Sequence, residues 1–194
     1  MSGSTGAPQA TIDRLREIGV RDTGRALSLL SDLRRAMPWG QAGWESVFRS
    51  AVCAPDPELY FLNLSRWGDS LPPAYLEQAF AREGHLPVIG ALLGGSEFIP
   101  EQVARRPEVF EHLFLRDGVL GRPSPGDLAR EALAAADGFA AEEEFKRELR
   151  RIKHREIARI AARDLSGLAP LPEVTADLSA LASAALEGAV RFAG

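Results

Sequence analysis

The residues with chemical potential concentrate in one stretch, EEEFKRELRRIKHREIARIAARDL, over Glu142–Leu165. Arg147, Arg151, Arg155, Arg159 and Arg163 recur every four residues. On a helix turning about 100° per residue they form a slowly winding guanidinium stripe. Phe145, Leu149, Ile152, Glu156, Ile160 and Arg163 fall in one sector of that helix, with Arg159 at its edge. The core-facing side is therefore apolar in its first half and then takes in a carboxylate and two guanidiniums. Breaking a buried ion pair leaves an uncompensated charge, at about 3–5 kcal/mol. Glu156, Arg159 and Arg163 are accordingly expected to form a structural polar network. Within it, Glu156 pairs with Arg159 one turn on, or with a neighbouring helix. Arg147 and Arg151 admit two readings. One is a solvated face, because six acidic residues accompany eight basic ones over Glu142–Asp164. The other is a surface for an acidic partner, a phosphate or RNA.

The remaining reactive residues form no set. His85, His112 and His154 match no metal-ligand spacing, and Cys53, the single cysteine, has no neighbouring base in sequence. Leu93-Gly94-Gly95-Ser96-Glu97 looks like a phosphate loop but lacks the Walker lysine and a preceding strand. It is expected to be a glycine C-cap followed by a serine N-cap. No Asp-x-Asp pair that would hold Mg²⁺ for nucleotidyl transfer occurs anywhere, and Asp56 and Glu58 are better explained as a helix start. No catalytic or metal-binding residue is assigned.

The elements that must position these residues are helical. Alanine and leucine fill 55 of 194 positions and the β-branched residues only 20, which favours helices and argues against a large sheet. Ile12, Leu15 and Ile18 mark a first helix, and Asp22-Thr23 starts a second carrying Leu27, Leu30, Leu33 or Arg34, and Met37. Trp44, Val47, Phe48 and Ala51 fit a third. Asp56-Pro57-Glu58 opens a fourth, which buries Tyr60, Phe61, Leu64 and Trp67. Pro72-Pro73 opens a fifth, Leu86–Leu93 is apolar nearly all round, and Pro107-Glu108 starts a helix burying Phe110, Leu113 and Phe114. Residues 116–124 carry Gly118, Gly121 and Pro123 and read as the longest internal loop. Ser124-Pro125-Gly126-Asp127 is a capping-box start. Two long helices follow, the arginine-rich one and an Ala-rich one from about Glu173 to Phe192, expected to pack on each other across the Gly167–Pro172 turn.

The expected fold is all-α, a multi-helix bundle of about ten helices ending in two long packed helices. Residues 1–10 are expected to be disordered, with one helical domain over 11–194 that can be subdivided near 116–124. The longest apolar run, Val88–Leu93, is far short of the roughly 20 residues of a membrane span. The Met1–Ala10 segment lacks the features of a signal peptide. A net charge of −4 and a pI near 5.5 weigh against nucleic acid as a partner. A cytoplasmic protein is expected.

Three ordered stretches carry a resemblance. LGGSEFIPEQVARRPEVFEHLFL (Leu93–Leu115), LRRIKHREIARIAARDLSG (Leu149–Gly167) and EVTADLSALASAALEGAV (Glu173–Val190) are similar to segments of the glutamine synthetase adenylyltransferases/adenylyl-removing enzymes. The resemblance covers about half of the chain, from Leu93 to Val190. It implies a helical region ahead of a nucleotidyltransferase domain, in a protein that attaches AMP to glutamine synthetase and removes it under control of the PII signalling protein and glutamine. It implies Mg²⁺ and ATP for that catalytic domain, none for this chain, and glutamine synthetase, PII and the catalytic domain as partners. The family's acidic catalytic motif is absent here, so no catalytic residue carries over. Arg155, Glu156, Arg159, Ile160, Arg163, Asp164 and Leu165 match the family's shared helix, which implies that Arg155 and Asp164 join Glu156, Arg159 and Arg163 in a structural polar network near the join to the catalytic domain, and either of the family's two halves fits. The expected function is the non-catalytic helical region of such an enzyme, with a catalytic domain following Gly194. The rival expectation is a free-standing helical scaffold, recognisable by evenly stacked hairpins with a concave face.

Overall fold

A computed structural model describes residues 6–194. Among these the chain is entirely helical outside its turns, with no strand. It divides between Pro107 and Glu108 into two compact units. The expected unstructured start lies outside the described residues over 1–5, and from Gly6 the chain is already helical.

The first unit contains α1 (Gly6–Glu17), α2 (Thr23–Ala36), α3 (Gln41–Val52), α4 (Pro57–Ser70), α5 (Pro73–Phe80), α6 (Leu86–Gly95) and α7 (Phe98–Ala104). The start of α4 follows from its sequence. Asp56 Oδ1 accepts from the backbone N–H groups of Glu58 at 2.9 Å and Leu59 at 3.1 Å, and Pro57 occupies a position that needs no donor. Glu58 does more than complement the helix dipole. Its Oε1 accepts the backbone N–H groups of Arg21 at 3.0 Å and Asp22 at 2.9 Å, so the start of α4 also holds the chain leading into α2. The inward face of α4 is the expected one, with Tyr60, Phe61, Leu64 and Trp67 all buried.

Several buried polar atoms in this unit find partners, which offsets their desolvation, whereas Trp39 Nε1 has no acceptor among the described residues. Tyr60 Oη and Ser50 Oγ lie 2.5 Å apart and each is 3.0 Å from the Val47 carbonyl, so one hydroxyl donates to the carbonyl and the other to its neighbour's oxygen. Asn63 Nδ2 donates to Leu93 O and Ser96 O, and Trp67 Nε1 to Pro100 O. α6 is buried nearly all round. Its glycines act differently from the expected C-cap, because neither Gly94 nor Gly95 has a positive φ. They admit close neighbours instead. A Cβ on Gly90 would lie 2.1 Å from Ser50 O, and one on Gly94 would lie 2.6 Å from Ala54 Cβ. Ser96 does cap the next helix, accepting from Ile99 N–H at 3.2 Å.

The second unit begins within α8 (Pro107–Phe110), which widens into a π-helical turn at Glu111–Leu115. It continues with α9 (Pro125–Gly138), α10 (Glu142–Leu165) and α11 (Leu171–Ala193). The capping box at Ser124 and Asp127 is present in both directions. α11 packs on α10 as expected, yet its more extensive contact is with α9. Small residues explain this. A Cβ on Gly188 would sit 3.0 Å from Ala132 O, and Leu128, Ala132 and Ala184 form a common cluster. At the far end Phe145 stacks on Phe192 with 4.4 Å between ring centroids. No described helix is long and apolar enough to cross a membrane.

Candidate functional site

The side chains of the second half of α10 enter a continuous chain of alternating charges. Glu131 of α9 accepts two hydrogen bonds from Arg155, at 2.7 and 2.6 Å. Arg155 Nε donates to Glu156 Oε1 at 2.9 Å, and Arg159 Nε donates to Glu156 Oε2 at 2.8 Å. Arg159 Nη2 then donates to Asp177 Oδ2 of α11 at 2.7 Å, and Arg122 Nε of the 116–124 loop donates to Asp177 Oδ1 at 2.8 Å. Glu173 lies 3.9 Å from Arg122 and accepts from Arg163 at 2.8 Å. Arg163 Nη1 closes the series on the loop carbonyls of Val119 and Leu120. Four guanidiniums and four carboxylates alternate, so the array is formally neutral.

Burial makes this array consequential. Glu156 and Arg159 are each 1% exposed and Asp177 is 6% exposed. At such depth each charge is tolerable only when paired. Arg159 Nη1 and Arg163 Nε are buried without a hydrogen-bond acceptor among the described residues, which reduces the net stabilisation the array gives. What remains is geometric: three helices and a loop are held in one register by directional bonds. Burial would raise the Asp177 carboxyl, but the donors of Arg159 and Arg122 outweigh it and hold it below its ordinary value. Arg155 hydrogen bonds likewise hold Glu131 low, against the effect of burial. Both carboxylates therefore stay ionised and committed to arginines.

His112, in the π-helical turn, borders the array across a cavity of about 430 Å³ also lined by Gly118, Arg122, Glu131, Arg155 and Arg159. Burial, with the nearby Arg155 charge, pushes His112 below the usual histidine range. The turn is closed by Gly118 N–H donating to His112 O at 2.9 Å. A Cβ on Gly118 would lie 2.5 Å from that oxygen and 2.6 Å from His112 Nε2.

Of the residues singled out in sequence, Arg155, Glu156, Arg159 and Arg163 come together. Asp164 is exposed and makes no ion pair among the described residues. Arg151 pairs with Glu148 at 2.6 Å and approaches Glu131 at 3.6 Å, while Arg147 is exposed and makes no ion pair among the described residues. His85 is buried in the first unit, His154 is half-buried on α10 and Cys53 is exposed. No group of three or more metal-ligating side chains occurs among the described residues. Sequence reasoning missed Arg122, Glu131, Glu173, Asp177 and His112 as members or neighbours of the array. One signal was present: Asp177 shares its helical spacing with Val174, Leu181, Ala184 and Gly188, the buried face of α11.

The sequence profile of the glutamate-ammonia ligase adenylyltransferase family matches residues 87–193, more than half of the chain and the whole of the charge array. The chain belongs to this family. Similar members are bifunctional glutamine synthetase adenylyltransferase/adenylyl-removing enzymes. The one from Thioalkalivibrio sulfidiphilus is 37% identical over 122 residues, 60% of this chain and 12% of that protein. The one from Mycobacterium marinum is 30% identical over 145 residues, 71% of this chain and 14% of that protein. The one from Pseudomonas putida is 35% identical over 97 residues, 50% of this chain and 10% of that protein. The chain thus spans only about an eighth of the adenylyltransferase relatives it matches. No solved structure matches it.

Proposed function

We propose that this chain is the helical region adjoining a nucleotidyltransferase domain in a bifunctional glutamine synthetase adenylyltransferase/adenylyl-removing enzyme, and that it positions and binds without catalysing. The observation that carries the reading is where the family match falls: on residues 87–193, which include the helices locked together by the Arg155–Glu156–Arg159–Asp177 array. In the family-like stretch of α10 the polar groups of Arg155, Glu156, Arg159 and Arg163 are turned to internal bonding. A frame fixed in this way supplies a rigid base for a neighbouring domain. Glutamine synthetase is the target by family, and PII is the regulator that the resemblance implies.

Mg²⁺ and ATP belong, in this reading, to the neighbouring domain. The carboxylates of the array do not fit Mg²⁺, because Glu131, Glu156 and Asp177 are each already bonded to guanidinium groups. The test has two arms. The purified chain, given glutamine synthetase, Mg²⁺ and labelled ATP, is expected to transfer no AMP, and given adenylylated glutamine synthetase and phosphate to release none; turnover in either assay overturns the non-catalytic role. An antibody against the chain is expected to detect a polypeptide several times heavier than 21.0 kDa in the source cell. A native band of that smaller mass overturns the adjoining-domain role.

A further inference from the structure

The flank of α10 turned away from the charge array is built differently. There Lys146, Arg150 and Lys153 stand along the rim of a half-open cavity of about 470 Å³, whose floor is formed by Leu149, Ile152 and Leu181. Three cations and no carboxylate line this space. Lys146 is paired with Glu142 at 2.7 Å, whereas Arg150 and Lys153 are exposed and make no ion pair among the described residues. The other wall is α11, whose Leu171, Leu178, Leu186 and Val190 are 71%, 41%, 68% and 73% exposed. With Ala182 between Leu178 and Leu186, they form a stripe that winds about 40° round the helix with each four-residue step and lines the cavity at Leu178 and Ala182. At 1.5 Å per residue that apolar stripe runs for about 28 Å. It extends well past the cavity, further than a small ligand reaches, and its length matches a partner helix.

We propose that the α10–α11 groove docks an acidic amphipathic helix of a partner protein, with its apolar side on Leu178, Ala182 and Leu186 and its carboxylates on Arg150 and Lys153. Charge decides between the candidates. A second copy of this groove would bring one cationic rim against another, which like-charge repulsion opposes. A helix bearing carboxylates beside an apolar stripe satisfies both the rim and the floor. The inference goes beyond the family role and does not depend on it.

The test uses the full 194-residue chain and two synthetic helical peptides of about six turns. Both carry the same leucine stripe; one is flanked by glutamates and the other by lysines. Because the chain carries a net charge of −4, its overall field disfavours the acidic peptide, so a preference for that peptide reports the local rim. Fluorescence anisotropy at low salt is expected to give at least tenfold tighter binding of the glutamate peptide. The Arg150→Glu/Lys153→Glu variant is expected to reverse the preference, and Leu186→Ser to weaken the glutamate peptide about tenfold. Unchanged far-UV circular dichroism shows that these exposed substitutions leave the fold intact. Equal affinity for the two peptides overturns the proposal, as does unaltered binding by the doubly substituted chain. Sedimentation showing a dimer that Leu178→Asp dissociates overturns it in favour of a second copy. Binding of laurate by a chain that binds neither peptide overturns it in favour of a small anionic amphiphile.

Discussion

Arg159 and Asp177, 18 residues apart on successive helices, are joined by a 2.7 Å hydrogen bond at a point where the arginine side chain is 1% exposed and the aspartate side chain 8%. Each residue also has a second partner: Glu156 for the arginine and Arg122 for the aspartate. Truncating either one therefore leaves two other groups short of a bond.

The single variants Arg159→Ala and Asp177→Ala are each expected to lose about 3–5 kcal/mol of stability. The double variant is expected to lose less than the sum, by about 1–3 kcal/mol, because the second truncation removes a charge the first has already orphaned. Urea unfolding followed by far-UV circular dichroism measures this. All three tryptophans and both tyrosines precede Pro107, so aromatic fluorescence reports on the first unit only. Additive losses would mean the two residues are not coupled.

Acid is expected to weaken the second unit in two stages. His112 lies below its usual value of 6.5 in the folded chain, so the unfolded chain takes up a proton first. Its contribution is complete above pH 6.5 and is lost as pH falls through the lower folded value. The carboxyls of Glu131 and Asp177 are also held below their ordinary values of 4.5 and 3.8, so their contributions persist above those values and disappear on further acidification. In a His112→Gln variant the slope that begins below about pH 6.5 should flatten, while the steeper loss below pH 4.5 remains. Unfolding midpoints measured at half-unit pH steps would show otherwise if both stages survived the substitution.

Glycines at close approaches should be intolerant of even one carbon. Gly90→Ala places a methyl group against Ser50 O and is expected to cost at least about 1–3 kcal/mol, read by tryptophan fluorescence during urea unfolding. Gly138→Ala meets nothing within 4 Å and should be neutral or stabilising by about 0.5–1 kcal/mol. Equal effects at the two sites would remove the packing explanation.

Loss of the α9 cap is the mildest change. Ser124→Ala removes the acceptor for Asp127 N–H and one partner of the Asp127 carboxylate, at an expected cost of about 1 kcal/mol. Thermal melts followed by circular dichroism should show a small downward shift, and Ser124→Asn should recover most of it.

Local rules made the helix starts at Asp56 and Ser124 legible, because a cap and its donors lie within three residues. Periodicity likewise revealed the inward face of α4 and placed Glu156 and Arg159 on the core side of α10, while an all-round apolar run marked α6 as buried. Their partners were harder to find. Glu131 and Asp177 lie 24 and 18 residues from the arginines they bind, and only tertiary packing brings them there. Gly94 misled for the same reason: its role is set by Ala54 and Asp56 on another segment. The π-helical turn at Glu111–Leu115 left no pattern in an apolar run that also fits an ordinary helix.

The two flanks of α10 set a limit on how its gene can change. The cationic rim and the array lie on different sides and successive stretches of a single helix. Inserting one codon between Lys153 and Arg155 would turn the rest of the helix by about 100°: Arg155 leaves Glu131, and either α11 keeps its seat on α9 and Arg159 and Arg163 turn away from Asp177 and Glu173, or α11 turns with them and leaves α9. Point substitutions can accumulate along this helix one position at a time, whereas insertions and deletions must come in whole turns or be purged.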